Sequence, residues 1–388
     1  MTSNRVTTPA ADIDDLIATT AVQPRPYQQR IVGKAVGLFA DEGRRSILIE
    51  SPTGSGKTVM GLLVAHALQE RLGVRVGWVA MRRYLLDQAR AENDEKRIGV
   101  RAEYISMFDK APPTGLDLLV VDEAQHDGAS SMAHLHQLIR PRFILGLSAT
   151  PYRSDRVKLC FDSVIRDAGI QSLIQDGYLS PYHHFTLPLY SPRSVVEHYL
   201  RERSRWGKSI FYFHTLEQCY AADALLKKAG VRCDVVTASS NRDGQLEAFR
   251  AGRLDVLSNC MVLSEGFDCP ELQTVFCRPS CKGVTIQMCG RVLRKHPEVP
   301  VKQIVQCART RWPFVRTAAA AAQFTWQDDE WRSLALNPRI NEVAGRAVRA
   351  LARIRVTMPG FLGADAAARD DHFQRRRRQR RGRGVSAA

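Results

Sequence analysis

SILIESPTGSGKTVMGLLVAHAL, Ser46 to Leu68, decides how the rest of the chain is read. SILIE is a short apolar strand. After Lys57 the apolar residues recur at helical spacing, so a helix follows. Between them lies SPTGSGKT, Ser51 to Thr58. Glycines there let the backbone wrap an anion, the amide N–H groups point inward, and the helix N-terminus adds positive dipole. Thr53, Gly54, Ser55 and Gly56 form the cradle. Lys57 would reach the β- and γ-phosphates of a nucleotide, and the Thr58 hydroxyl would hold Mg²⁺. The common form of this loop has Gly five residues before the GK pair; Ser51 stands there instead.

Further along, the apolar run LDLLVVDEA ends in adjacent acids, Asp122 and Glu123. In a parallel sheet the carboxyl ends of the strands gather on the ligand side. Asp122 would then bind Mg²⁺ through water, and Glu123 would orient or deprotonate an attacking water. For a lone acidic pair a solvated turn would be the favoured reading; the phosphate loop upstream is what supplies it with chemistry.

The surrounding pattern alternates strand and helix, with strands apolar nearly throughout, which indicates a parallel sheet covered on both faces. It does so twice. The expected order is an N-terminal arm (1–22), one α/β domain (23–190), a second (191–309), a helical C-terminal extension (310–371) and an Arg-rich tail (372–388). The proline-bearing segment DGYLSPYHHFTLPLYSP marks the boundary between the two domains. NEVAGRAVRALARIRV has helical spacing, whereas QRRRRQRRGRG has nothing apolar to bury and reads as disordered.

Charge points to a polyanionic partner. Lys and Arg number 56 against 40 Asp and Glu, a formal charge of +16. Residues 301–388 hold 18 of the bases and 7 of the acids, so most of the excess sits there. Nucleic acid is favoured over a membrane surface, and no apolar run approaches the roughly 18 residues needed to span a bilayer. Nine scattered cysteines and a polar, acidic start fit a cytoplasmic chain with free thiols. Cys277, Cys281 and Cys289 lack a zinc-type spacing, and buried thiols are the default reading.

Taken in order, these residues resemble a superfamily 2 helicase or translocase of the DEAD/DEAH group, from about Arg25 to Arg294. RPYQ resembles the adenine-reading segment, with Arg25 and Gln28 as contacts. SPTGSGKT resembles motif I in the form this group uses, Ser51 included. VAMRRYLLDQ resembles motif Ia, VDEAQH motif II, and SAT, Ser148 to Thr150, motif III. IFYFHT resembles motif IV, LSEGFDCP motif V, and QMCGRVLR motif VI. The connection GLSATPYRSD…GYLSPY is similar to the branch of DNA-repair translocases and type III restriction subunits. A minimal core of this kind is also similar to helicases carried on phages or mobile elements.

The resemblance implies two tandem RecA-like domains with ATP between them. A phosphate loop leaves the γ-phosphate open on one side, and a second domain must bring positive charge there. Gln287, Arg291 and Arg294 are expected on one helix face for that purpose. Gly266 and Asp268 would approach the nucleotide. The fourth motif II residue, usually Asp or His, relays nucleotide state to Ser148 and Thr150. Here it is Gln125, which hydrogen-bonds both ways but carries no charge; His126, one step on, is the alternative.

Nucleic acid, DNA before RNA, is expected across the top of both domains, with Arg82, Arg83, Thr215, Thr237 and Arg278 as contacts. Each also reads as an ordinary surface or strand residue. The tryptophans of TRWPF…FTWQDDEWRSL either stack on bases or pack the C-terminal segment, and packing is favoured. Two other functions stay open: an RNA helicase, or an ATPase subunit or scaffold within a restriction or repair complex. A monomer, with protein partners allowed, is expected.

Overall fold

The computed structural model describes residues 13–126, 130–149, 159, 161–260, 262–264 and 269–334. Gly266, Asp268 and Thr150 lie outside the described residues, as do the stretch after 340 expected to be helical and the Arg-rich tail. The side chain of His126 is likewise outside them.

Two sheets organise residues 13–334. The first holds β1 (Ser46–Glu50), β2 (Val76–Ala80), β3 (Ala102–Ser106), β4 (Leu118–Asp122), β5 (Phe143–Ser148) and β6 (Ser163–Ile165) in the order β3-β2-β4-β5-β1-β6. All its pairings are parallel. Helices α1 (Ile13–Ala18), α2 (Pro26–Ala40), α3 (Lys57–Leu72), α4 (Arg83–Glu95), α5 (Ser130–Ile139) and α6 (Ile170–Gln175) accompany it. Every residue of β2 and β4 is buried, which is why VGWVA and LLVVD run apolar rather than alternating.

The second sheet comprises β7 (Tyr182–Leu187), β8 (Ser209–Tyr212), β9 (Cys233–Val236), β10 (Val256–Asn259), β11 (Thr274–Cys277), β12 (Lys302–Cys307), β13 (Ala322–Gln327) and β14 (Glu330–Ser333). Its order is β14-β13-β7-β12-β11-β8-β10-β9, parallel except for the β13–β14 hairpin. Helices α7 (Pro192–Arg201), α8 (Arg203–Trp206), α9 (Leu216–Lys228), α10 (Arg242–Arg250) and α11 (Lys282–Gly290) go with it. This is the expected pair of RecA-like α/β layers.

Three boundaries differ from the sequence reading. YHHFTL, placed at the end of the first domain, is β7 of the second sheet, paired with β12 and β13; the crossing between sheets therefore falls between Ile165 and Tyr182. The described part of the extension is a strand hairpin, whose Phe324, Trp326 and Trp331 pack on the aromatic core around Phe185 and Trp206. Lastly, the helix bearing motif VI stops at Gly290, and Arg291 is its C-cap. Gly is the weakest helix former after Pro, and it stands where the helix ends.

One apolar cluster runs through both halves, from Ile31 and Val64 to Met288, Val292 and Ile304. The sheets thus share buried contacts, and the motif VI segment is part of that shared core.

Candidate nucleotide site

Topology assembles the site. β5 lies between β4 and β1, so the ends of all three strands are neighbours, with Glu50 opposite Ser148 and Asp122 opposite Leu147. The phosphate loop leaves β1, the acids end β4, and Ser148 ends β5 between them. The Ser51 amide donates to the Ser148 carbonyl at 3.0 Å, tying the start of the loop to motif III.

The loop is preset by its own polar groups. Ser51 Oγ donates to Ser55 Oγ at 2.8 Å, and Ser55 Oγ donates to the Pro52 carbonyl at 2.7 Å. Ser51 is therefore a structural part of the loop, and buried Ser55 spends its hydroxyl inside it. Gly54 and Gly56 have φ of +83° and +78°, a region that L side chains rarely adopt. Gln28 fastens the loop from α2: its Nε2 donates to the Ser55 carbonyl at 2.8 Å while its Oε1 accepts the Arg25 amide at 2.9 Å. Both ends of the Gln28 amide are held by protein. The Arg25 guanidinium stacks on Tyr178, 4.8 Å from the ring centre.

A cleft of about 200 Å³ is lined by Thr53, Gly54, Gly56, Lys57, Thr58, Asp122 and Glu123 from the first sheet and by Arg291 and Arg294 from the second. Arg291 is buried, and Arg294 is half-buried. The two halves meet closely here: a Cβ at Gly290 would stand 3.3 Å from Thr53 Cβ, and one at Gly54 would stand 3.5 Å from Arg294 Cγ. Burial pushes the Lys57 ammonium down, opposed by Glu123 and Asp122 and aided by Arg291 and Arg294. Burial, then the Glu123 carboxylate, pushes Asp122 up to about 7. A buried carboxylate raised this far lacks enough positive charge beside it.

That deficit suits a divalent cation. Among the described residues no group of three or more His, Cys, Asp or Glu could hold a metal. Mg²⁺ does not require one, because it is commonly held by one or two protein oxygens, waters and substrate phosphates. Thr58 and Asp122, both on the cleft wall, fit that arrangement.

Glu123 has φ of +52°, uncommon for a residue with a side chain. Its carboxylate accepts from Gln125 Nε2 at 2.9 Å, and Gln125 Oε1 accepts from Ser148 Oγ at 2.7 Å. Only this orientation of the amide gives the carboxylate a donor. Gln125 is buried and links motif II to motif III directly. Gln287 is half-buried on α11 and does not line the cleft.

The expected nucleic-acid residues fall into two groups. Arg82 precedes α4 and is half-buried, and Arg83 is exposed. Thr215 caps α9 by accepting the Gln218 amide at 3.2 Å, and Arg278 Nη1 lies 2.9 Å from His214 Nδ1 at the adjoining strand end. Thr237 differs: its buried hydroxyl accepts the amides of Ser239 and Ser240, so it holds a turn. Cys277 and Cys289 pack in the core with sulfurs 3.6 Å apart.

Some participants were not singled out by the sequence reading. Leu85, Gln88 and Glu92 of α4 line the cleft. Tyr84 of α4 meets Arg242 of α10, whose guanidinium is 4.3 Å from the ring centre. The Ser180 amide donates to the Leu293 carbonyl at 2.7 Å and holds the turn between the two arginines. Tyr84, Leu85 and Gln88 fall inside the stretch that resembles motif Ia, Glu92 lies one turn beyond it, and Ser180 lies in the GYLSPY connection.

Comparison with known proteins agrees with this geometry. Residues 21–107 match the family described as type III restriction enzyme, res subunit, and residues 192–296 match the helicase conserved C-terminal domain. A 51.5 kDa protein of a Lactococcus phage is 29% identical over 273 residues, covering 60% of this chain and 59% of its own. The putative ATP-dependent helicase IRC3 of Saccharomyces cerevisiae is 24% identical over 341 residues, covering 70% and 49%. The chain thus spans about half to three fifths of the length of these relatives. Among solved structures, the DNA-bound type ISP restriction-modification enzyme LlaBIII superposes with a TM-score of 0.59 at 17% identity, covering 75% of this chain and 28% of that one. S. cerevisiae Dbp5 bound to RNA and ADP BeF3 gives 0.55 at 14%, covering 76% and 89%. Two helicase family matches in chain order, on two RecA-like sheets with the motifs of both at one cleft, support a superfamily 2 helicase of the type III restriction-like branch.

Proposed function

We propose that this chain is a nucleic-acid-stimulated ATPase of the helicase or translocase type, coupling Mg-ATP hydrolysis to movement along DNA or its remodelling. One observation carries the reading: a single cleft collects Lys57, Asp122 and Glu123 from one sheet and Arg291 and Arg294 from the other. Phosphoryl transfer asks the protein for positioning and for charge at the transferred group. Lys57 and the loop amides hold the phosphates. Glu123, fixed by Gln125, orients the attacking water and draws off its proton. Arg291 and Arg294 offset the negative charge that builds on the γ-phosphoryl in the transition state. Mg²⁺ held by Thr58 and Asp122 supplies further neutralisation of the β- and γ-phosphates when bound.

Because the arginines and the phosphate loop come from different sheets, hydrolysis requires both to close on the nucleotide. Any strand lying across both sheets therefore feels each cycle of closure and release, which is the mechanical basis of a motor. The +16 charge supports a polyanionic track. DNA is favoured over RNA by the type III restriction match and by the DNA-bound relative. A second reading, an ATPase unit working inside a larger restriction or repair complex, draws on the chain covering only 28% of that relative.

The test is steady-state ATP hydrolysis without nucleic acid and with single-stranded DNA, duplex DNA, forked DNA or RNA. Stimulation mainly by DNA is expected. Stimulation by RNA alone would move the assignment to RNA remodelling. Hydrolysis in none of them would favour the subunit reading.

A further inference from the structure

The five tryptophans are not equivalent. Trp78 and Trp206 are fully buried, and Trp326 and Trp331 pack on the second-sheet core. Trp312 belongs to none of the three buried apolar clusters. It lies five residues beyond β12, half-buried, with its Nε1 donating to Thr317 Oγ1 at 3.0 Å. Its ring is attended by cations: Lys282 Nζ is 5.2 Å from the ring centre and Arg316 Cζ 5.6 Å.

Topology gives this place a meaning. β12, β11 and β8 are consecutive parallel strands, with Cys277 opposite both Gln306 and Tyr212. Their chains leave the sheet at one edge, spaced by roughly 5 Å per strand. The exits carry Thr215 after β8, Arg278 and Lys282 after β11, and Arg309, Arg311 and Trp312 after β12. Neither 278–282 nor 308–316 contains an acid. None of Arg278, Lys282, Arg309, Arg311 and Arg316 is in an ion pair among the described residues. An unpaired row of like charge is self-repelling, and a phosphate backbone relieves the repulsion.

We propose that Trp312, flanked by Lys282 and Arg316, is a base-stacking platform for single-stranded nucleic acid. It extends the path marked by Thr215 and Arg278 across one more strand end. This rests on the nucleic-acid reading above and adds a contact outside the helicase motifs. The two cations on the ring are worth together about 1–2 kcal/mol, and a base stacked on an aromatic ring about 1–3 kcal/mol. A base takes the ring without net loss because the displaced ammonium and guanidinium pass to the phosphates on either side.

The experiment uses the full chain and fluorescence anisotropy of a labelled oligothymidine, with a duplex of equal length as comparison, across a salt series. Trp312→Ala is expected to weaken single-strand binding by about five- to a hundred-fold, and duplex binding much less, because paired bases are not available to stack. Trp312→Phe should recover most of the loss. The pair Lys282→Ala with Arg316→Ala should flatten the salt dependence by about one to two in slope. Single-strand binding within about two-fold of the unsubstituted chain in Trp312→Ala would overturn the platform. If that variant does not fold, an unchanged salt slope in the Lys282–Arg316 pair overturns it alone. Failure of the unsubstituted chain to bind oligothymidine or oligouridine removes the nucleic-acid reading itself, a different result from unaffected variants.

Discussion

Gln125 shows what a single residue type decides. An acid or a histidine at this place would change charge with pH; an amide does not. Its two hydrogen bonds, to Glu123 and Ser148, fix the carboxylate without neutralising it. Gln125→Ala is expected to lower the rate of hydrolysis about 10- to 100-fold, the scale of a small misplacement of a reacting group. ATP affinity should stay within about two-fold, since Gln125 does not line the cleft. Rate measurements alongside equilibrium ATP binding separate the two, and an equal fall in both would sink the positioning role. Lys57→Ala and Glu123→Gln frame the result. The first should abolish turnover, and the second should keep ATP bound but unhydrolysed; turnover retained in either would refute the site. Most of these residues were legible because a phosphate loop and an acidic strand end each carry their chemistry in a short run. The choice between Gln125 and His126 was not. It depends on the turn that starts at Glu123 with φ of +52°, and residue spacing does not encode a left-handed dihedral.

At the scale of elements, the sequence was clearest where burial on both faces makes a strand apolar, as in β2 and β4. It was obscure where buried strands carry polar residues. β12, KQIVQC, is buried throughout, yet half of it is Lys and Gln. Most of its polar groups find a partner: Gln306 Oε1 accepts the Phe314 amide at 2.7 Å, Lys302 Nζ donates to the carbonyls of Pro270 and Leu272 at 2.6 and 2.8 Å, and Gln303 Nε2 donates to the Arg205 carbonyl at 2.6 Å, while Gln303 Oε1 has no partner among the described residues. Such partners are distant in sequence, so no local pattern reveals them. Lys302 has a measurable consequence. Burial lowers its ammonium from 10.5 to about 8. Above 10.5 the lysine is neutral in both states. As pH falls from there to 8, the unfolded chain takes up a proton that the folded chain does not, and stability declines. Below 8 both are charged and the effect is flat. The full change is of order 3 kcal/mol. Urea unfolding of the unsubstituted chain and Lys302→Met at pH 8 and pH 10 isolates it, because the other titrating groups are common to both. The stability of the unsubstituted chain relative to the variant should rise at pH 10. A constant difference would show that Lys302 keeps its ordinary pKa.

For the molecule as a whole, the question is what makes two sheets act as one catalyst. The cleft itself supplies part of the answer through the close approaches of Gly290 to Thr53 and of Gly54 to Arg294. The pairing of Tyr84 on α4 with Arg242 on α10 is a contact of another kind: it joins the halves, and neither residue lines the cleft. Burial raises the Tyr84 hydroxyl, and Arg242 acts against that rise. Neutral Tyr84 is thus the form that faces the guanidinium at neutral pH. An arginine on a desolvated ring contributes about 0.5–2 kcal/mol. Removing it from the closed arrangement alone would reduce the closed population relative to the open one by about 2- to 30-fold. ATP, which needs the closed cleft for its full set of contacts, would then bind more weakly by up to that factor. Once bound, it would meet an unchanged catalytic set. Arg242→Ala is therefore expected to raise the KM for ATP several-fold and to leave kcat at saturating ATP within about two-fold. Arg291→Ala should do the reverse, losing kcat while ATP still binds, because its guanidinium acts on the transition state. Measuring KM and kcat for both variants with the same single-stranded DNA makes the contrast direct. If Arg242→Ala lowers kcat as Arg291→Ala does, the α4–α10 contact belongs to the chemistry and not to the closure of the two sheets.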